Sequence, residues 1–272
     1  MKHVVRVFLI SFIALHLLSA QRPIMRTESA LTLGKGKVQA GVGVEYFRKN
    51  IPPPPEFPQS VWRVFVLAWH QGVADNVNLD LDWLGGLSAK SSTGAKSFDW
   101  GDLTVSTKIT FFREQQYIPA IGLQNSVKLP NTSYFPSRLG SNQMDFHTHL
   151  LLSKQFSNFE TRLNVSFSIV GNPEVAGVQD DVYGFDAGIL TPISEGLRFF
   201  IEVVGFTGYE AHNSKLVSRY GLVYELGEYQ WGLHSSVRAV GDNLDYGNSF
   251  EGSENWSVGL TLVRSLSLSF LE

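Results

Sequence analysis

Two short runs of the sequence carry residue types that could do chemistry. Asp145, His147 and His149 occur at alternate positions, so in a β-strand their side chains would share one face. Imidazole nitrogens bind transition metals, but the sequence offers no second cluster of ligands nearby, and we expect histidines that line an interior. His234 and Ser236 are spaced in the same way, as a base and a nucleophile could be. No carboxylate or oxyanion partner can be identified from spacing, so we expect no enzyme, no metal site and no cofactor.

These residues belong to strand-like segments in which apolar and polar residues alternate. Val77–Trp83 alternates without a break, and Phe159–Ile169 does so with one residue off the pattern. Each segment therefore has an apolar face and a polar face, and the polar faces carry charges. The predicted strands cover residues 37–49, 60–71, 77–84, 102–112, 117–129, 143–156, 158–170, 181–193, 197–207, 215–226, 229–240 and 255–270.

The count of twelve strands depends most on residues 60–71. There two sets of residues compete for the apolar face, namely Trp62, Val64 and Val66 against Phe65, Leu67 and Trp69. A missed or invented hairpin at this point would give ten or fourteen strands instead.

The links between the predicted strands alternate between short and long. Short links include residues 72–76, 113–116 and 194–196, whereas the long ones are residues 50–59, 85–101, 130–142, 171–180, 208–214 and 241–254. Bacterial outer-membrane barrels have short periplasmic turns and long extracellular loops. The pattern therefore predicts an all-β fold, a single closed antiparallel transmembrane β-barrel in the bacterial outer membrane.

The first residues have the features of a secretory signal peptide. A positively charged start precedes the apolar run Val7–Leu18, which is too short to cross a bilayer as a helix. We predict a signal peptide at residues 1–20, a periplasmic N-terminal segment at 21–36 and the barrel at 37–272. The chain has no cysteine, and its net charge of −3 without a basic block argues against a nucleic-acid partner.

Several short, glycine-rich motifs resemble a known family. They include Leu33–Lys37 leading into Gly41–Tyr46, then Gly72–Asn76, Gly101–Leu103 and Leu129–Asn131. Across most of the mature chain this series is similar to the outer-membrane family labelled "MetA-pathway of phenol degradation". The resemblance implies a β-barrel that takes up small molecules, aromatic compounds among them, and it brings no catalytic residues with it.

The charged faces of the strands are expected to line the lumen, because the apolar faces must meet lipid. Acidic and basic residues are mixed on these faces, which does not favour the ring of one sign found in ion-selective pores. The residues that we expect to line the lumen and bind solute are Asp80, Asp82, Lys108, Asp145, His147, Glu160, Arg162, Arg219 and Arg238.

The sequence thus predicts an outer-membrane channel or transporter that passes or binds a small organic solute through a narrow polar lumen. Its expected partners are outer-membrane lipid and the solute, without a specified oligomeric state. One alternative is an outer-membrane lipid hydrolase that uses His234 and Ser236. Another is a structural barrel whose lumen is closed by its own ion pairs.

Overall fold

The computed structural model describes residues 24–48, 58–133, 139–171, 178–207, 215–240 and 255–267. The predicted signal peptide and most of the predicted long loops fall wholly or partly outside these residues. Within the described part of the chain, no helix is long and apolar enough to cross a membrane.

The described residues form antiparallel strands. They are β1 (Lys37–Arg48), β2 (Pro58–Ala74), β3 (Val77–Trp83), β4 (Gly86–Ser91), β5 (Lys96–Trp100), β6 (Leu103–Phe112), β7 (Ala120–Leu129), β8 (Asp145–Gln155), β9 (Glu160–Gly171), β10 (Gln179–Ser194), β11 (Leu197–Thr207), β12 (Lys215–Leu226), β13 (Tyr229–Val240) and β14 (Trp256–Ser267). Each pairs with its neighbours, and β1 pairs with both β2 and β14, so the sheet closes. The elements β3 and β4 are successive pieces of one barrel strand, and β5 and β6 are successive pieces of the next. The fourteen elements therefore make a barrel of 12 strands. The predicted fold and strand count are confirmed.

A β-bulge in β2 explains the two competing apolar sets of residues 60–71. Gly43 pairs with Val66 and Val44 pairs with Val64, which leaves Phe65 as the extra residue, with a φ of 56°. The bulge shifts the alternation by one position, so Trp62 faces outward before it and Leu67 after it. Both sets therefore contribute to the outer surface, each on its own side of the bulge.

The predicted long loop at residues 85–101 is wrong over most of its length. Residues in this range form the hairpin of β4 and β5, closed by a turn in which the Ser91 N–H donates to the Ala95 carbonyl over 2.9 Å. Gly85, at φ 69°, lies opposite the bulge, where an added Cβ would lie only 2.1 Å from the Val64 carbonyl oxygen. This glycine marks an irregularity within a strand rather than the start of a loop.

The two faces of the barrel wall differ as the alternation predicts. In β3, Leu79 and Leu81 are 40% and 37% exposed, whereas Asn78 and Asp80 are 2% and 1% exposed. The apolar row faces outward and the polar row faces the lumen, which is the arrangement that a barrel needs in lipid. The short β2–β3, β10–β11 and β12–β13 turns mark the periplasmic end, and the β4–β5 turn lies at the outer end.

The lumen is occupied by the chain's own N-terminal segment. Residues 24–33, here called the strap, run across the lumen from the wall at β10–β14 to β3 and β6. We expected residues 21–36 to lie in the periplasm, and the strap differs from that expectation. Its main-chain N–H and C=O groups find partners among the polar side chains that point into the barrel.

Candidate functional site

The N-terminal end of the strap is held by one buried carboxylate on β11. Glu202 accepts hydrogen bonds from the Arg26 N–H over 3.0 Å, the Thr27 N–H over 2.7 Å and the Thr27 hydroxyl over 2.8 Å. The same carboxylate forms a close ion pair with Arg219 on β12. Hydrogen bonds to a charged group are stronger than neutral ones, so Glu202 is the main polar anchor of the strap.

Apolar packing adds to this anchor at the start of the strap. Ile24 and Met25 are buried against a patch of the barrel wall that is apolar on its inner face and consists of Leu190, Phe200, Val223 and Val263. Two glycines make room for them, since an added Cβ at Gly188 or Gly232 would lie 2.8 Å from Met25 Cε or 2.7 Å from Ile24 Cγ2.

The middle of the strap is held by charges from β6 and β9. Lys108 donates from Nζ to Glu28 over 2.8 Å, and Arg162 donates from Nη1 to the Thr27 carbonyl over 3.1 Å. Burial alone would raise the pKa of the Glu28 carboxyl, but Lys108, His70 and Arg162 outweigh it and lower the pKa below its ordinary value of 4.5. Glu28 is therefore charged at neutral pH, and its pair with Lys108 is intact.

The C-terminal end of the strap makes neutral hydrogen bonds. The Thr110 hydroxyl donates to the Ala30 carbonyl over 2.8 Å and accepts from the Thr32 N–H over 3.1 Å. The Leu33 N–H donates to Asn78 Oδ1 over 3.0 Å. Beyond this point the chain turns at the periplasmic end and enters β1.

The strap separates two cavities in the barrel. The outer cavity has a volume of about 240 Å³ and the inner cavity about 360 Å³, and Met25 and Glu28 border both. The outer cavity is lined by uncharged polar side chains and by apolar ones. The polar ones include Gln124, Ser126, His147, His149, Ser166 and Ser168, the apolar ones include Leu84, Val182, Val204 and Phe206, and Arg26, Glu28, Asp82, Lys128 and Asp186 add charges. It can therefore hold an organic molecule with both polar and apolar groups.

Three of the predicted lumen residues act on the strap. Lys108 and Arg162 contact it directly, while Arg219 reaches it through Glu202. Glu160 forms a two-pronged pair with Arg162, with distances of 2.7 Å to Nε and 3.1 Å to Nη2. This pair fixes the guanidinium that faces the Thr27 carbonyl.

Asp80 and Asp82 lie on the lumen face of β3 beside His70. The Asp82 carboxylate is 3.3 Å from His70 Nε2, and the Asp80 carboxylate is 4.0 Å from His70 Nδ1. Asp82 borders the outer cavity, whereas Asp80 is 1% exposed. Of this pair, Asp82 is therefore the one placed to meet a solute.

The other three predicted residues lie toward the outer end of the barrel. His147 borders the outer cavity and shares a 2.8 Å hydrogen bond with Ser168. Asp145 is buried, pairs with Lys128 and accepts from the Gly171 N–H over 3.0 Å, so it ties strand ends together. Arg238 is half-buried near the outer end of β13, where its main-chain N–H donates to the Asn255 carbonyl.

Sequence reasoning did not predict that the strap enters the barrel or that it contacts Glu202, Thr110 and Asn78. Glu202 belongs to the polar face of a predicted strand, so its inward direction could be inferred. The strap itself has no periodic pattern, because its main-chain groups bond to side chains of the lumen rather than to a neighbouring strand. Nothing in the local sequence therefore indicates that it enters the barrel.

His234 and Ser236, the residues of the hydrolase alternative, are engaged in other contacts. His234 lies over Gly259, with Nε2 3.5 Å from Glu45 Oε1, and Ser236 Oγ is 2.7 Å from Ser257 Oγ. Both residues face the lumen and are almost fully buried. In the described residues, no group of three or more His, Cys, Asp or Glu side chains could hold a metal ion.

Comparison with known proteins supports the fold and assigns the family. One similar structure is the COG4313 outer membrane channel from Pseudomonas putida F1, with a TM-score of 0.64 at 12% identity over 89% of this chain and 100% of that one. Another is the NanC porin, with a TM-score of 0.53 at 10% identity over 85% of this chain and 99% of that one. At such identities the likeness shows the barrel fold alone.

No curated protein matches the sequence. Residues 24–262 match the protein family described as "Putative MetA-pathway of phenol degradation". This range includes the strap and nearly all of the barrel, as the resemblance noted from the glycine-rich motifs predicted. The chain belongs to this family.

Proposed function

We propose that the protein is a passive outer-membrane channel for small organic solutes that carry both a polar and an apolar surface, and that the strap is its gate. The observation that carries the proposal is the pair of cavities, of about 240 and 360 Å³, on either side of a strap held by hydrogen bonds and ion pairs. Such contacts can be broken and remade without unfolding the barrel. The protein selects by size and by the hydrogen bonds of the lining, without energy coupling and without catalysis.

The walls of the outer cavity support the class of solute. Hydroxyl, amide and imidazole groups line it together with the side chains of Val182, Val204 and Phe206. A single aromatic ring with a hydroxyl substituent would find both apolar contacts and hydrogen-bond partners in this lining. The family description, which refers to phenol degradation, supports the same class.

A reversible covalent lock tests the gate. A Cβ added at Gly188 would lie 3.2 Å from Thr27 Oγ1, so cysteines at these two positions would be close enough to form a disulfide. We therefore combine Thr27→Cys with Gly188→Cys in a chain that has no native cysteine. The two single variants are matched controls, because each carries one substitution and cannot form the bond.

The readouts are planar-bilayer conductance and the swelling of liposomes in a phenyl glycoside, with a non-aromatic disaccharide of matched size for comparison. We expect the oxidised double variant to pass neither current nor glycoside, and a reducing agent to restore both. Equal passage in the oxidised and reduced forms would contradict the gate. No passage by the parent protein under any condition would instead support a sealed structural barrel.

The hydrolase alternative is tested separately. We expect purified protein to release no fatty acid from lipid vesicles, and Ser236→Ala to leave this result unchanged. Release that is present in the parent and lost in the variant would favour the enzyme.

A further inference from the structure

Three cations lie in one row on the lipid-facing side of the barrel, at its outer end. Arg48 on β1 pairs with Ser60 on β2, Ser60 pairs with Lys90 on β4, and Lys90 pairs with Lys96 on β5. The inward neighbours of these residues, such as Phe47 and Ala89, are buried, so the three cations point away from the lumen. All three are exposed.

Directly below this row lies a row of aromatic side chains. The residues of this row lie two positions closer to the membrane on each strand than the row of cations. In it, Tyr46 pairs with Trp62, and Ser88 pairs with both Trp62 and Phe98. The rings of Tyr46 and Trp62 are 4.9 Å apart, and Trp62 and Phe98 are 50% and 56% exposed. Aromatic rings of this kind settle at the level of the lipid headgroups, and two residues of a strand rise about 7 Å. The cations therefore lie at, or just above, the headgroups.

Among the described residues, the three cations have no carboxylate partner on this face. Lys90 and Lys96 are directly opposite each other on the hairpin, an arrangement of like charges that destabilises a strand pair. Within the described ranges, none of the three has an ion pair. By contrast, Arg264 at the periplasmic end pairs with Glu228 over 3.1 Å.

We propose that Arg48, Lys90 and Lys96 form a binding site for the phosphate groups of a phosphorylated lipid in the outer leaflet. The aromatic row below them contacts the sugar or acyl part of the same lipid. The anionic headgroup supplies the negative charge that the hairpin, with its two facing lysines, otherwise lacks. The same contact holds the β4–β5 hairpin against the membrane surface. The site is on the outside of the barrel and is independent of the proposed passage of solute.

The test measures lipid binding to the purified full-length protein by native mass spectrometry. The probes are bisphosphorylated lipid A, the same lipid without its phosphates, and inorganic phosphate as a competitor. The main variant is Lys90→Gln combined with Lys96→Gln, and Arg48→Gln is a second. Lys35→Gln combined with Lys37→Gln removes the same charge from exposed positions at the opposite end of β1 and is the matched control.

A basic residue near a lipid surface contributes about fivefold to binding. We therefore expect roughly 25-fold weaker binding of bisphosphorylated lipid A by the double lysine variant, about fivefold weaker binding by Arg48→Gln and no change in the control. The parent should prefer the phosphorylated lipid, and inorganic phosphate at equal concentration should not displace it.

Three outcomes would overturn the proposal. They are unchanged binding by the double lysine variant, equal binding of the lipid without phosphates, and full displacement by equimolar inorganic phosphate. The first would remove the lysines from the site, the second would leave only apolar contacts, and the third would indicate a site for free phosphate. Heat-dependent migration of each variant on a gel shows that it still folds as a barrel.

Discussion

The two ends of the strap are held in different ways. At the N-terminal end, a buried carboxylate paired with Arg219 accepts three hydrogen bonds from Arg26 and Thr27. At the C-terminal end, the partners Thr110 and Asn78 are neutral, but the chain continues directly into β1. The strongest non-covalent contacts therefore occur at the end that is farther along the chain from β1. This difference predicts that the strap opens by losing the Glu202 contacts, so a substitution at that end should open the gate more than one at the other end.

Glu202→Gln should open the gate most. The neutral amide keeps the shape of the side chain but loses the charge-assisted hydrogen bonds, at a cost of about 2 kcal/mol, or roughly 30-fold in the released fraction. Single-channel recording should show this as a higher open probability. Glu225→Gln is the matched control, since Glu225 pairs with Arg198 across the same two strands without a strap contact among the described residues. Equal effects of the two variants would show that Glu202 is not the anchor of the strap.

Arg162→Ala should have a smaller effect of the same sign. It removes the bond to the Thr27 carbonyl and frees Glu160. We expect about a tenfold rise in open probability, which corresponds to about 1.4 kcal/mol for a hydrogen bond from a charged donor. Unchanged single-channel traces and glycoside uptake would contradict a role for this arginine in the solute path.

Acidic pH should open the gate through Glu28. Its folded pKa is lowered, so the pair with Lys108 stabilises the closed strap above pH 4.5 and is lost as the pH falls through the lowered pKa. We expect open probability to rise at pH values below 4.5, by roughly fivefold for a partly screened ion pair. Glu28→Gln should give the high value already at neutral pH and lose this part of the pH dependence. A variant that keeps the full dependence would assign it to another group.

Thr110→Val should have the smallest effect. The substitution preserves the shape but removes the hydroxyl that bonds Ala30 and Thr32. Because continuity with β1 still holds this end, we expect only about a threefold rise in open probability, or about 0.7 kcal/mol. Thr107→Val, on the exposed face of the same strand, is the matched control. An effect as large as that of Glu202→Gln would reverse the comparison between the two ends.

The barrel itself could be predicted from the sequence because its signal is local. The bounds of β11, β12 and β13 agree with the predicted segments 197–207, 215–226 and 229–240. In a barrel wall each residue faces either lipid or lumen, so hydrophobicity alternates residue by residue. Wherever the strands are regular, this alternation is sufficient to give both the strand and its faces.

The sequence failed where the structure departs from regular strands. The glycines at the ends of residues 85–101 favoured a loop, although Phe98 and Trp100 in β5 keep the alternation, with more than half of each side chain exposed. The strap could not be found because its partners on β3, β6, β9 and β11 are brought to it only by closure of the sheet. Of the predicted site residues, Lys108, Arg162 and Arg219 were found through charge and parity alone. Their shared connection to the strap could not be predicted from the sequence.

The β4–β5 turn also has a practical consequence for work in whole cells. Ser92–Ala95 connects two strands that extend past the aromatic row, and Gly94 there has open space around it apart from the end of Lys90. Exposed turns with small residues tolerate insertions. A short epitope placed after Gly94 should be accessible to antibody on intact bacteria without disturbing the wall, so this turn offers a site for surface display.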